Sequence, residues 1–206
     1  TALEELTIKA KQLVNTLFPG DRRYSNQYSE FLRNTKLGEE LENPPQILEM
    51  VRDHLNARQQ SLWILTGEAG TGKSHLLADL ALKLLHEKRC CLIMIGERFT
   101  SNMPLPEQIP ALLNWGWSAG DLLACLSEYA IVTGHPSILM VDAINESQVR
   151  GLWRRELPQF LALISEYPGV HLLVSCRTDC LDSALPQGLR NKAETIEHHG
   201  FDLQFH

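Results

Sequence analysis

The sequence predicts an α/β fold: a five-stranded parallel sheet flanked by helices, with a short helical lead before it. Three observations carry that expectation. From Leu62 onward, short apolar runs alternate with segments whose leucines recur at helical spacing. The runs are continuous rather than alternating, as strands buried between two helical layers require. With 206 residues, 44% of them hydrophobic, the chain can bury one sizeable core.

The elements follow in order. Leu3, Leu6, Ala10, Leu13, Val14 and Leu17 predict an amphipathic helix, which Pro19 and Gly20 stop. Asp21 to Glu42 is polar, with Tyr24, Tyr28 and Phe31 scattered through it, and reads as a connecting segment. Asn43 before Pro44 is a helix start signal, and Ile47, Leu48, Val51 and Leu55 then share one face as far as about Gln60. The body reads as strand LWILT, a helix from Ser74, strand CCLIMIG, and a helix around Asp121 to Ile131. Strand SILMVDAI, a helix across Trp153 to Tyr167, and strands VHLLVSC and AETIEHH complete it. Pro158 should kink or divide the helix that contains it, and Pro168-Gly169 should end it. The expected division is a helical lead and linker over 1–60 and a core over 61–206. The chain opens without Met and stops at FDLQFH directly after a predicted strand. A piece of a longer multidomain protein is the expectation.

Composition narrows the function classes. The net charge of −6 argues against a general nucleic-acid surface, which needs clustered Lys and Arg to displace counterions from phosphates. No stretch approaches the eighteen or so consecutive apolar residues of a membrane span, and the N-terminus lacks an apolar signal core. Five cysteines, Cys90, Cys91, Cys125, Cys176 and Cys180, are an odd set lying mostly in apolar runs. Reduced thiols in a cytoplasmic protein are expected, not a disulfide framework. Cys176 and Cys180 lack the paired spacing of a zinc site, and His198 and His199 do not complete one.

Gly67 to His75, GEAGTGKSH, carries the clearest chemistry. Gly67, Gly72, Lys73 and Ser74 fit G-x-x-x-x-G-K-[ST], with a predicted strand before and a predicted helix after. Gly67, Gly70 and Gly72 would let the backbone wrap close to phosphate oxygens, with Glu68, Ala69 and Thr71 between them and His75 at the start of the helix. The loop's N–H groups and the helix N-terminus supply partial positive charge there. Lys73 would reach the outer phosphates and the Ser74 hydroxyl would ligate magnesium. A glycine-rich turn that binds nothing is the alternative. The stripe Leu76, Leu77, Leu80, Ala81, Leu84 and Leu85 reads as core packing.

Two more strand ends deliver polar residues. SILMVDAINES places Asp142 at the C-terminal edge of a buried strand, where ligands bind in open parallel sheets, as a candidate magnesium-organising acid. Glu146, preceded by Asn145, would hold or deprotonate a water facing the terminal phosphate. Otherwise Asp142 caps a helix and Glu146 is a solvated acid. VHLLVSCRTD ends in Cys176 and Arg177, so a guanidinium would approach the outer phosphate; the other reading pairs it with Asp179 at the surface.

Together GEAGTGKS, ILMVDAINE and LLVSCRT resemble the nucleotide-binding domain of STAND NTPases, the signal-transduction ATPases with numerous domains, and especially the NACHT-like and bacterial antiviral branches. Asp142, Ala143, Ile144, Asn145 and Glu146 fill that second motif, and the resemblance covers about Leu62 to Phe201. Related AAA+ ATPases usually put their acids side by side, whereas here Ala143 follows Asp142. The resemblance implies a P-loop NTPase core with a strand inserted between the phosphate-loop strand and the strand of the second acid. It also implies ATP or GTP with Mg2+, and slow hydrolysis resetting an oligomeric on-state controlled by sensor and effector domains in the same polypeptide. Lys73 and Ser74 would bind phosphate and magnesium, Asp142 magnesium, Glu146 the hydrolytic water, and Arg177 the terminal phosphate. The resemblance implies that a helical lid and winged-helix segments follow this region in the longer protein and complete nucleotide trapping and oligomer formation.

A scaffold that holds nucleotide without hydrolysis and a small-molecule kinase are the other readings. A kinase needs an arginine-rich lid, and Thr100 to Gly120 is proline-rich without Arg. Tyr24 or Tyr28 would stack on a base or pack the lead on the sheet. In RGLWRREL, helical spacing turns Trp153 and Leu157 inward and the arginines to solvent. Trp115 and Trp117 lie in a predicted loop.

Overall fold

The computed structural model describes residues 61–114 and 116–200. The expected lead and its tyrosines, Trp115, and the last residues 201–206 lie outside the described residues. Five strands, β1 (Leu62–Gly67), β2 (Cys91–Ile95), β3 (Ser137–Asp142), β4 (Val170–Arg177) and β5 (Glu194–Glu197), form one sheet in the order β2-β3-β4-β1-β5. Every pairing is parallel. β4 therefore separates β1 from β3, the inserted strand expected above.

Strand side chains alternate between two buried faces, which is why the runs are apolar without interruption. Leu62, Ile64, Leu139, Val141, Leu172 and Val174 join one core cluster, while Trp63, Leu65, Ile138, Met140 and Leu173 join the other. Helix α1 (Lys73–His86) covers the second face with Leu76, Leu77, Leu80, Ala81 and Leu84. Helices α2 (Leu105–Leu112), α3 (Ala119–Thr133) and α4 (Leu152–Ser165) contribute to the first. Two short helices, α5 (Leu181–Ala184) and α6 (Gln187–Arg190), lead into β5.

Local chemistry explains the boundaries. Ser118 and Asp121 form a reciprocal capping box at the start of α3, with bonds of 3.1 and 3.0 Å. Gly134, at φ +70°, ends the same helix in the left-handed conformation that glycine adopts without steric cost. Pro158 does not divide α4, which runs unbroken from Leu152 to Ser165. It sits on the exposed face between buried Leu157 and Phe160, so packing holds the helix while water can serve the Arg154 carbonyl that Pro158 leaves without a donor. The proline-rich stretch contains a helix that periodicity did not signal. Pro106 falls in the first turn of α2, where its missing N–H costs nothing, and Gln108 Nε2 donates to the carbonyls of Ser101 and Met103.

Trp153 and Leu157 are buried and Arg150, Arg154 and Arg155 are exposed, as helical spacing predicts. All five cysteines are free thiols, and burial pushes Cys90 up to about 11 and Cys91 up to about 12. Among the described residues no helix is long and apolar enough to cross a membrane, and no group of three or more His, Cys, Asp or Glu residues could hold a metal ion.

Candidate nucleotide site

Strand register brings the predicted residues to one edge. Gly67 at the end of β1 pairs with Arg177 at the end of β4, and Ile95 of β2 pairs with Asp142 at the end of β3. The loop after β1 then turns directly into α1, so the N-terminus of a 14-residue helix faces the space above the sheet.

Within the loop, Gly70 at φ +77° and Gly72 at φ +94° take conformations costly for any other residue. Gly67 is required by proximity, because a Cβ there would lie 2.3 Å from the carbonyl oxygen of His198. The His198 N–H in turn donates to the Thr66 carbonyl at 2.7 Å, continuing the β1–β5 ladder beneath the loop. Glu68, Ala69 and Gly70 are exposed, while Thr71 donates its hydroxyl to the Glu68 carbonyl at 3.0 Å. Ser74 and His75 lie exposed in the first turn of α1.

Lys73 Nζ donates to the Gly67 carbonyl at 2.9 Å and the Glu68 carbonyl at 2.6 Å, with Thr71 Oγ1 at 3.4 Å. The ammonium thus sits inside the curl of the loop. Partial burial lowers its pKa, while the nearby negative charge of Asp142 opposes the shift. Arg177 and Asp179 also act on it, which brings the ends of β1, β3 and β4 into one electrostatic neighbourhood.

Asp142 is partly buried and oriented by a residue that the motif analysis did not single out. Ser175, wholly buried on β4, donates its hydroxyl to Asp142 Oδ1 and accepts the Ala143 N–H at 2.7 Å. Ala143 is left-handed, at φ 53° and ψ 55°, and starts the single turn Ile144–Glu146. Asn145 Oδ1 accepts the Arg177 backbone N–H at 3.2 Å, tying that turn to the end of β4. Trp153 Nε1 donates to Ser147 Oγ at 2.7 Å and fastens the far end of the turn to α4. Glu146 is exposed, and its charge raises the Arg177 pKa as the smallest of several contributions.

Arg177 closes on Asp179. Nε donates to Oδ1 at 3.1 Å and Nη2 to Oδ2 at 2.6 Å, with side-chain exposures of 43% and 62%. These bonds lead the upward shift of Arg177 and the downward shift of Asp179. An ion pair this exposed is weak enough for a phosphate to compete with it.

The donor chemistry fits a nucleotide and Mg2+. The Ser74 hydroxyl and Asp142 carboxylate are hard oxygen ligands, and magnesium is commonly held by one or two protein groups plus phosphate oxygens and water. The open, glycine-lined curl before α1 would hold the phosphates. When bound, the metal would neutralise developing charge between the outer phosphates. Lys73 is the cation that would meet them, and Glu146 lies on the turn beside Asp142 with an exposed carboxylate.

Ser175, His198 and Gly96, where a Cβ would stand 2.2 Å from the Ala143 carbonyl oxygen, were missed by motif reading. The one available signal for Ser175 was a hydroxyl inside the apolar run VHLLVSC; for His198 and Gly96 nothing local marked them. Sheet order and loop together define a P-loop NTPase fold. No protein-family model matches the chain, and no curated protein matches it.

Solved structures do. Cdc6p from Pyrobaculum aerophilum is similar at 19% identity, over 74% of this chain and 43% of that one, with a TM-score of 0.50. AMPPCP-bound DnaA from Aquifex aeolicus shares 14% identity over 75% of this chain and 44% of its own, with a TM-score of 0.45. A chain of Drosophila ORC bound to DNA shares 21% identity over 75% of this chain and 91% of its own, also at 0.45. The chain spans less than half the length of the Cdc6p and DnaA chains it matches. At these identities the likeness is one of fold.

Proposed function

We propose that this chain carries the nucleotide-binding, slowly hydrolysing regulatory module of a STAND-type ATPase, cytoplasmic and acting in innate-immune or antiviral defence. ATP, or GTP, with Mg2+ would occupy the loop Gly67 to His75. Lys73 would meet the outer phosphates, Ser74 and Asp142 the metal, Glu146 the attacking water and Arg177 the terminal phosphate. Nucleotide would hold a homo-oligomeric on-state, and sensor and effector domains of the same polypeptide would set the signal and the output. The net charge of −6 argues against a general nucleic-acid surface on this module, and no membrane partner is proposed for it.

One observation carries the reading. In Asp-Ala-Ile-Asn-Glu the two acids are not adjacent, and the left-handed Ala143 starts the turn that carries Glu146 away from the end of β3. That supports the STAND arrangement over one with side-by-side acids. A second reading, a scaffold that holds nucleotide without hydrolysing it, draws support from Arg177, whose guanidinium is engaged by Asp179.

Calorimetric titration of the whole chain with ATP, ADP and GTP in the presence of Mg2+, with phosphate release followed on the same samples, tests both. Binding with slow release supports the switch module. Binding without release favours the scaffold, and no binding removes the nucleotide reading altogether.

A further inference from the structure

We infer that Ser175 is a positioning residue for the metal-organising acid, and that its hydroxyl selects which Asp142 oxygen serves a divalent cation. The inference rests on the nucleotide reading and extends it to a residue outside the motifs.

Ser175 is 0% exposed between Val174 and Cys176, on the strand that lies between those of the phosphate loop and of Asp142. β3 and β4 pair Val141 with Val174, so the next step of the register sets Asp142 beside Ser175. A buried hydroxyl needs partners, and this one uses its single proton on Asp142 Oδ1 while accepting the Ala143 N–H at 2.7 Å. One lone pair of Oδ1 is thereby taken up by the protein. Oδ2 has no share in that bond and is the oxygen that would serve a metal ion or one of its waters.

The same hydroxyl shapes the backbone beyond the acid. Ala143 is held left-handed from both sides. Ser175 takes its N–H, its carbonyl accepts the Glu146 N–H at 2.9 Å, and that carbonyl lies so close to Gly96 that a Cβ on Gly96 would stand 2.2 Å from the oxygen. One side chain thus couples the carboxylate orientation to the turn bearing Asn145 and Glu146. Hydrogen-bond partners of a metal-binding carboxylate fix its orientation and tune its affinity in this way, and losing them typically costs about 10- to 100-fold in metal affinity.

The test measures ADP and ATP affinity of the whole chain and its Ser175→Ala variant in EDTA, and then across a magnesium titration. Nucleotide affinity in EDTA should stay within about twofold of the parent, because the phosphate loop is untouched, while half-maximal magnesium enhancement should need roughly tenfold more metal. A purely structural role for Ser175 would lower the thermal midpoint without separating those two quantities. Ser175→Cys, close in size but a weak donor, should shift magnesium dependence in the same direction, and it decides the matter if the alanine variant does not fold. Parent-like magnesium dependence in the folded variant overturns the inference while leaving the nucleotide reading standing. A parent chain that binds no nucleotide, with or without magnesium, overturns both.

Discussion

Gly67 and His198 touch through their backbones: a Cβ added to Gly67 would stand 2.3 Å from the His198 carbonyl oxygen, and no side-chain rotation could relieve it. The end of β5 therefore forms the floor beneath the phosphate loop. Gly67→Ala is expected to lower stability by about 1–3 kcal/mol, the usual cost of forced overpacking. It should also weaken nucleotide binding by moving the loop. A melting curve and a nucleotide titration on the same variant check this, and parent-like values in both would mean that β5 yields freely.

Lys73 spends its ammonium on two loop carbonyls, at 2.9 and 2.6 Å, neither of which carries a full charge. Phosphate oxygens are better partners, and hydrogen bonds to charged groups contribute about 1.5–3 kcal/mol. Lys73→Ala should reduce affinity for magnesium-ATP by on the order of tenfold or more with the fold intact. An unaltered affinity would remove the phosphate-loop assignment.

Glu146 is exposed on the turn beside Asp142, where it contributes no packing. Glu146→Gln should keep nucleotide affinity and slow phosphate release by roughly 10²–10⁴-fold, the range for a lost general base. A variant releasing phosphate at the parent rate would take Glu146 out of the mechanism.

Asp179 holds the Arg177 guanidinium, for which a terminal phosphate would have to compete. Arg177→Ala should narrow the preference for triphosphate over diphosphate, and Asp179→Asn, which loosens the pair, should widen it by a few-fold. Equal ATP-to-ADP affinity ratios in the parent and both variants would return Arg177 to a surface role.

His198 gives the loop a pH dependence. Burial first, and the charge of Lys73 second, hold its pKa below the ordinary 6.5, with His199 adding a little and the Thr71 backbone opposing. The folded chain then binds fewer protons than the unfolded chain between the lowered value and 6.5, so stability rises with pH across that window. This contribution is present above pH 6.5 and is lost as the pH falls through the lowered value. The thermal midpoint should drop on acidification, and His198→Asn should flatten that part of the profile. Identical slopes for the two proteins would assign the dependence elsewhere.

Much of this was legible in the residues. The phosphate loop is a local object: glycine spacing, a preceding apolar run and a following leucine stripe all lie between Leu62 and Leu85, so sequence order is spatial order. Asp142 and Arg177 were legible for a related reason, since a polar residue ending an apolar run marks a strand's edge. The pairing of Arg177 with Asp179, two positions away, was legible as one of two readings. Helix α2 was not, because three prolines, Pro104, Pro106 and Pro110, concealed a short helix whose first turn and buried face accommodate them.

What the sequence determined by itself was the set of chemical groups and the strand ends they occupy, because period and motif act over a few residues. What only the tertiary structure decided was which groups meet. Ser175 and Asp142 are 33 residues apart, and Gly67 reaches His198 across most of the domain. Those contacts depend on β4 entering between β1 and β3 and on β5 adding outside β1. Strand order arises from how two helical layers close over both faces of the sheet, so residue periodicity does not give it, and the β4 insertion was expected only from the family resemblance.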